Sequence, residues 1–484
     1  MYKHGVYTIL EGTAQEVLKG ANAPIYVGTA PVHTIPGGSE NVNKPVRVAS
    51  FEQAKALFGY REDWAAYTLC EAMYAHFTEN AVGPIVLINV LDVKKHKEAA
   101  PSAQTATPAS GKIVLAGMQN AVLDSLKVGS KAASAYRLSY EDGAGKLTIT
   151  ETTAGSLGTN ELEISYDVVA PSQVDDEDLV GTYDGEGVST GIQAIRDVYQ
   201  LTGYIPGTIL CPGYSHRTAV RAAMLNMSQK ANGHWDNFIY TDIPLADEEG
   251  AMTLSAAVAW KAASGHNAPN EKIFFPMWKT LSGKMYHLSV LFAVNMQMLQ
   301  IKANGVPYQT ASNTVLPAGQ AYYGAGRDNY LPDEEAVNKL LGANGITSAA
   351  FTAGAWKLWG AHSAAYDSFT DTGENVADTR RGMLNYLGNR FQSVYGDEVD
   401  IPISRNRIAQ IAAQENEYIG RLISMGELLY GKCSAVINAE NKDQMKQGDF
   451  KFIYEITTAP LSKSLTMVMT HTDAGLATFF EEDA

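Results

Sequence analysis

Strand-like segments recur through the amino-terminal part of the chain. Gly5–Leu10 alternates Val6, Thr8 and Leu10 with Tyr7 and Ile9, which predicts a short strand that needs a partner to be stable. Ile25–Gly28 and Val46–Ser50 predict two further strands, separated by a Pro/Gly-rich loop. Ile85–Val90 is β-branched and apolar except for Asn89, as expected of a strand buried on both faces of a parallel sheet.

Segments with the periodicity of a helix lie between these strands. Ser50 can cap a helix that starts at the next residue. A second helix is predicted from Asp63, as its N-cap, to Asn80, since Leu69, Met73 and Phe77 follow at helical spacing. Strands alternating with helices predict an α/β domain.

The middle of the chain interrupts this alternation. Residues 94–111 have the composition of a linker, and residues 113–172 show short alternating strands with glycine-containing turns, which predicts a β-rich insertion. The β/α pattern then resumes with helix 191–201, strand 208–211, helix 215–231 and strand 238–240. We expect the blocks on either side of the insertion to share one sheet.

The carboxyl-terminal part predicts long helices followed by strands. One helix is expected around Arg380–Gln392 and another over residues 405–425, whose Ile408, Ile411, Ile419 and Leu422 form an apolar stripe. The strands are expected at residues 434–437, 451–457 and 465–471.

Composition narrows the class of protein. A length of 484 residues favours roughly two to four domains. The formal charge of −15 opposes binding to nucleic acid or to anionic membranes, and no segment predicts secretion or a membrane span. Cys70, Cys211 and Cys433 stand far apart among apolar neighbours, which favours reduced core thiols.

One segment could support catalysis. Thr208–His216, TILCPGYSH, places a strand, a Pro-Gly turn and a helix start in series, as α/β enzymes do at their active sites. A hydrolase elbow would require glycine at Arg217, and the alternative Cys211/His216 pair starts from a buried strand end. The plainer interpretation is a helix capped by Ser215.

Phosphate and metal motifs are incomplete. Asp184–Gly191 is glycine-rich and enters a helix but lacks the G-K-S/T of a P-loop, and Ser282–Lys284 has Trp278 where that loop needs glycine. Asp176 and Asp178 match part of a calcium loop, yet Gly187 stands where a bidentate Glu belongs, so a solvated acidic turn is favoured. No cofactor or metal is predicted.

An ordered set of segments resembles the sheath subunits of contractile phage tails and of phage-tail-like bacteriocins. The amino-terminal segments are GVYTILEG, NKPVRVASFEQAKALFG and DWAAYTLCEAMYAHF; the carboxyl-terminal ones are NGIT, WKLWGA, RRGMLNYLGNRF and VDIPISRNRIAQIAAQENEYIGRLISMGELLYGK. The β-rich insertion is unmatched. Many relatives carry Arg after the W-G step, where this chain has Ala361-His362, so any contact made by that Arg is missing here.

The resemblance implies a structural protein and not an enzyme. Such subunits stack as hexameric rings around a tail tube, with baseplate and tail terminator proteins as further partners, and contract to drive the tube through a target cell envelope. We therefore expect a helical homo-oligomer of a contractile injection system, assembled in the bacterial host cytoplasm and located in a virion tail or tail-like particle. The rivals are a cytosolic α/β enzyme using the 208–216 turn, or another virion protein such as a tube or baseplate component.

The resemblance also implies contact residues, because terminal arms of the family add strands to a sheet of neighbouring subunits. The expected receiving sheet consists of segments 451–457 and 465–471. The residues assigned to strand exchange are Val6, Tyr7, Thr8, Ile9, Leu10, Phe452, Tyr454, Met467, Met469, Thr478 and Phe479. The polar loop Asn441–Gly448 is assigned to the tube through Lys442, Asp443 and Lys446.

The expected fold class is α/β and α+β multidomain. An amino-terminal arm (1–20) precedes an α/β middle domain (21–95 and 183–345) that carries the β-rich insertion (96–182). A carboxyl-terminal α+β sheath domain (346–475) and a final arm (476–484) complete the chain.

Overall fold

The structure of the protein is a computed structural model that describes residues 22–141, 144–245, 252–327, 329–367, 378–438 and 440–475. Contacts divide the chain into two compact units, residues 1–402 and 403–484. Both contain helices and antiparallel strands, and the larger unit also contains a mostly parallel sheet, so the chain is a mixed α/β protein with several sheets.

The described strands and helices follow each other along the chain. The strands are β1 (Asn22–Gly28), β2 (Val46–Val48), β3 (Ile85–Asn89), β4 (Ser102–Ala106), β5 (Lys112–Leu115), β6 (Lys127–Val128), β7 (Tyr136–Glu141), β8 (Lys146–Glu151), β9 (Leu162–Tyr166), β10 (Ile205–Leu210), β11 (Ile239–Asp242), β12 (Glu271–Phe274), β13 (Met277–Thr280), β14 (Met285–His287), β15 (Gly319–Tyr322), β16 (Ile346–Thr352), β17 (Ala355–Trp359), β18 (Leu428–Ala435) and β19 (Phe452–Thr458). The helices are α1 (Phe51–Phe58), α2 (Leu69–Met73), α3 (Asp176–Val180), α4 (Val198–Thr202), α5 (Thr218–Ser228), α6 (Leu254–Ser264), α7 (Leu288–Lys302), α8 (Glu334–Ala336), α9 (Asp378–Tyr395), α10 (Arg405–Ser424) and α11 (Lys442–Lys446).

The large sheet has the order β17-β16-β12-β11-β10-β1-β3-β2 among the described residues. Its inner strands run parallel, and β2 and β17 are antiparallel at the two edges. Because β1 pairs with β10, the segments before and after the insertion do share one sheet, as predicted. Every residue of β3 is buried, which confirms the interpretation of its apolar sequence.

The first helices follow the sequence prediction in part. The Ser50 hydroxyl accepts a hydrogen bond from the Gln53 N–H, so Ser50 caps α1 as predicted. The expected helix from Asp63 was wrong at its start, since α2 begins only at Leu69 and continues as a π-helical segment to Glu79. The preceding residues are held in a turn because Thr68 donates its N–H to the Thr29 hydroxyl, 3.1 Å away.

The insertion forms two antiparallel three-stranded sheets, β4-β9-β6 and β5-β8-β7, among the described residues. The linker prediction for residues 94–111 was wrong, because β4 lies within it and pairs with β9. The sequence of β4, SAQTA, has no large apolar residue, so its periodicity gave no strand signal. The solvated turn predicted at Asp176 and Asp178 was also wrong, because both residues lie in α3, which Asp175 caps in a capping box.

Strands β16 and β17 complete one side of the large sheet. On β17, the Trp356 ring lies 5.6 Å from that of Trp278. The predicted domain boundaries, including the one at residue 346, stay predictions.

In the unit of residues 403–484, α10 lies against β18 and β19. Its apolar stripe is buried as predicted. Strand β18 begins at Leu428 instead of residue 434, and no strand forms over residues 465–471, so both expectations were wrong. The physical reason for the second error is that an alternating sequence becomes a strand only beside another strand, and residues 465–471 have none among the described residues.

Candidate intersubunit interface

Helix α10 packs closely on the sheet formed by β18 and β19. Its start is fixed by Ser404, whose hydroxyl accepts the Arg407 N–H at 3.1 Å. Gly431 lies where a Cβ atom would approach Cγ2 of Ile419 to 2.6 Å. Glycine at this position therefore allows the helix and the strand to come together.

The outer edge of β18 is occupied at one point by this helix. Cys433 donates its N–H to Oδ1 of Asn416 at 2.9 Å and accepts from Nδ2 of Asn416 at 2.8 Å. Since both backbone groups of Cys433 point to Asn416, they point away from β19. An additional strand cannot bond to β18 here without displacing the Asn416 amide.

The register then determines the direction of the backbone groups of β19. Cys433 is opposite Tyr454, and in an antiparallel pair successive residues direct their N–H and C=O groups to opposite sides. Tyr454 therefore directs its backbone groups away from β18, and so do Phe452 and Ile456. The Val436 N–H donates to the Lys451 carbonyl at 2.8 Å, which agrees with the same alternation.

Alternate side chains of the predicted receiving strand, β19, face the helix. Tyr454 donates its hydroxyl hydrogen to the carboxylate of Glu415, which is completely buried on α10. Phe452 lies on the same face as Tyr454 and is half-buried. Any role of these two residues in strand pairing therefore belongs to their backbone.

The segment after β19 exposes a run of apolar side chains. Residues 459–472 have no regular secondary structure, and Leu465, Met467, Val468 and Met469 are exposed by 93, 76, 86 and 80%. Met467 and Met469 thus do not lie in the two-stranded sheet, where the sequence prediction had placed them. Strand β18 takes the position that this segment was expected to fill.

The predicted tube-contact segment contains a short helix instead of a loop alone. Lys442, Asp443 and Lys446 are exposed on and around α11, with Nζ of Lys446 3.4 Å from Oδ1 of Asp443. The remaining predicted contact residues, Val6, Tyr7, Thr8, Ile9, Leu10, Thr478 and Phe479, lie outside the described residues.

The 208–216 turn does not present a reactive pair. Cys211 is buried at the end of β10, and burial raises the pKa of its thiol, which disfavours the nucleophilic thiolate. Burial lowers the pKa of His216 to about 4. The prediction that Ser215 caps a helix was wrong, because its hydroxyl accepts the Asp242 N–H at 3.0 Å and α5 begins at Thr218.

Several backbone amides of the glycine-rich loop Asp184–Gly191 already donate hydrogen bonds within the protein. Its Asp184 carboxylate accepts the N–H groups of Glu186 and Val188 at 2.7 and 3.0 Å, and Asn43 accepts the N–H of Gly191 at 2.9 Å. These amides therefore already have acceptors. Within the described ranges, no three His, Cys, Asp or Glu residues group as a metal site would require, and none of the helices there has the length and apolarity needed to cross a membrane.

Comparison with known proteins shows what this chain is similar to. No protein-family model matches this chain. The tail sheath protein of Burkholderia phage BcepMu is 25% identical over 489 aligned positions, which cover 96% of this chain and 96% of that protein. The predicted resemblance to the tail sheath proteins is confirmed.

Solved sheath structures share the fold. The sheath of the anti-feeding prophage in its contracted state matches with a TM-score of 0.53 and 12% identity, covering 98% of this chain and all of that one. The sheath complex of the extracellular contractile injection system PVC, also contracted, matches with a TM-score of 0.56 and 11% identity over 98% of each chain. The sheath fold thus extends over nearly the whole chain.

Proposed function

We propose that this chain is a structural subunit of a contractile tail sheath, which polymerises around a tail tube and shortens to drive the tube through a cell envelope. The observation that carries this proposal is the alignment with a tail sheath protein over 96% of both chains. The fold adds support, because it matches a helical sheath in the contracted state. Stacked hexameric rings, a tube protein, a tail terminator protein and assembly in the host cytoplasm are finer parts of the same proposal.

The proposed joint between subunits is strand addition at the outer edge of β19. The Asn416 amide occupies the outer edge of β18, whereas the register directs the backbone of Phe452, Tyr454 and Ile456 to the other side. An added strand would make main-chain hydrogen bonds there, and such bonds tolerate rigid-body motion if the connecting segments bend. We assign Gly5–Leu10 and the segment around Thr478 and Phe479 of neighbouring copies as donors.

The exposed segment 465–469 belongs to the proposed connection between subunits. Four large apolar side chains in solvent cost free energy that contact with another copy would recover.

In this proposal the middle domain and the insertion lie outward, with the domain boundaries predicted above.

The tube contact is proposed at α11. Its charged side chains are exposed, and a polar contact of this kind can break and re-form during contraction more easily than a buried apolar one. The double charge reversal Lys442→Glu/Lys446→Glu should release sheath from purified tubes of the cognate particle. Retention equal to that of a Lys112→Glu/Lys127→Glu variant, which makes the same charge change in the insertion, would contradict the assignment.

Deletion of residues 1–12 tests the proposal as a whole. The deletion should leave soluble subunits that do not form long tubes in negative-stain electron micrographs, because the donor strand is missing. Deletion of residues 1–4 is the matched control, since it keeps Gly5–Leu10 and should still give tubes. Long tubes from the larger deletion would refute the donor assignment, and a small oligomer from the intact chain would refute the sheath function.

A further inference from the structure

Two methionines stand out among the exposed apolar side chains. Within the described residues, the methionines with strongly exposed side chains are Met425, at 55%, and the pair Met467 and Met469. The pair lies in the segment after β19 that has no regular secondary structure, two residues apart. Together with Leu465 and Val468, they give this segment an exposed apolar face.

The thioether sulfur makes this face chemically distinct from one built of leucine or valine. A methionine sulfur in solvent attacks hydrogen peroxide: an S–O bond forms, the O–O bond breaks and water leaves, so that sulfur is oxidised by two electrons and the peroxide is reduced. The product is a polar sulfoxide. A buried sulfur reacts far less because the peroxide cannot reach it.

We propose that Met467 and Met469 form an oxidation-sensitive site that controls assembly of the subunit. This inference rests on the proposed function, in which segment 465–469 contacts another copy. In a free subunit both sulfurs are open to hydroperoxides, and in an assembled sheath the contact covers them. A sulfoxide on this face has to be buried without an assured hydrogen-bond donor, which opposes association.

The other sulfur atoms supply the internal controls. Cys70, Cys211 and Cys433 are buried, so the peroxide should act on them slowly. Met425 is exposed but lies outside the segment, at the end of α10. Leucine has nearly the volume and apolarity of methionine and carries no sulfur, so Met467→Leu/Met469→Leu removes the chemistry and keeps the face.

The experiment treats soluble full-length subunits with hydrogen peroxide, removes it, and measures sedimenting tubes and sulfoxide content by peptide mass spectrometry. Treated wild-type protein should give roughly tenfold fewer tubes or less, since the unpaired sulfoxide is buried on association. The two stereospecific methionine sulfoxide reductases should restore assembly. The Met467→Leu/Met469→Leu variant should assemble after treatment, whereas Met425→Leu should remain as sensitive as wild type.

Different outcomes separate this inference from the function on which it rests. Normal tubes from wild-type protein that carries both sulfoxides would overturn the inference and leave the sheath function intact. Untreated wild-type protein that forms no tubes would overturn the function itself. If the double leucine variant does not assemble, the oxidation of both methionines is measured in preformed wild-type tubes and in free subunits. Equal oxidation in the two samples would contradict the inference.

Discussion

At the scale of single residues, one buried ionic cluster links the stability of the larger unit to pH. Glu271 is completely buried on β12 and accepts two hydrogen bonds from the Arg221 guanidinium, at 2.9 and 2.6 Å. Nδ1 of His266 lies 2.6 Å from the same carboxylate, and the Thr241 hydroxyl donates to it at 2.9 Å. Burial alone would raise the pKa of Glu271, but the bonds from Arg221 and His266 lower it to about 2.

The direction of the pH dependence follows from this lowered pKa. Between the ordinary value of 4.5 and about 2, the unfolded chain binds a proton on this carboxyl that the folded chain does not. The contribution of Glu271 to the free energy of unfolding is therefore complete above pH 4.5 and is lost as the pH falls toward 2. Glu271→Gln should reduce the free energy of unfolding at neutral pH by about 3 kcal/mol, because it leaves Arg221 without its charge partner.

Urea unfolding of the two proteins across the acidic range checks this prediction. The loss of stability with falling pH should be steeper in wild type than in Glu271→Gln. Equal slopes would show that the carboxyl does not titrate with the assigned pKa. Residue-scale features of this kind could not be predicted from sequence, since Glu271, Arg221 and His266 meet only through the fold.

At the scale of secondary-structure elements, the direction of the backbone groups of β19 allows a test of the proposed strand addition. Gly431 lies two residues before Cys433, so its backbone groups also point away from β19. Ile456 is opposite Gly431, and its N–H therefore points away from β18. Ile456→Pro removes that N–H and leaves the ladder between β18 and β19 in place. An added strand would then lose a main-chain hydrogen bond and meet the proline ring.

We expect Ile456→Pro to fold as a subunit and to form few or no tubes. Circular dichroism and thermal unfolding measure the fold, and sedimentation measures assembly. Ile456→Ala is the matched control, since it shortens the same side chain but keeps the N–H, and it should still form tubes. Tubes in equal amount from the proline variant would place the joint elsewhere.

The elements also show how far the sequence prediction reached. Helix α10 and strand β3 could be predicted, because an apolar stripe and an apolar run each indicate burial without any knowledge of neighbours. Strand β4 and the late start of α2 could not, because each depends on distant partners, β9 for the strand and Thr29 for the helix. For the candidate interface, the sequence predicted a strand over residues 451–457, where β19 lies, while the Asn416 contact that covers β18 became apparent only in three dimensions.

At the scale of the whole molecule, the proposed function is association between subunits. The larger unit contains the eight-stranded sheet and the insertion among its described residues, and residues 403–484 contain the sheet with the candidate edge. The sequence predicted the mixed α/β class and the resemblance to tail sheath proteins. The strand-exchange residues remain a prediction, because most of them lie outside the described residues and the pairing requires another copy of the chain.

A helical reconstruction by electron cryomicroscopy of tubes assembled from the intact chain tests the central claim most directly. The map should be traced on both sides of β19, with each strand followed back to its own subunit. Our account predicts that the strand beside the outer edge of Phe452–Thr458 belongs to another copy. A strand there that is continuous with the same chain, or an outer edge of β19 that contacts only solvent in the tube, would contradict it.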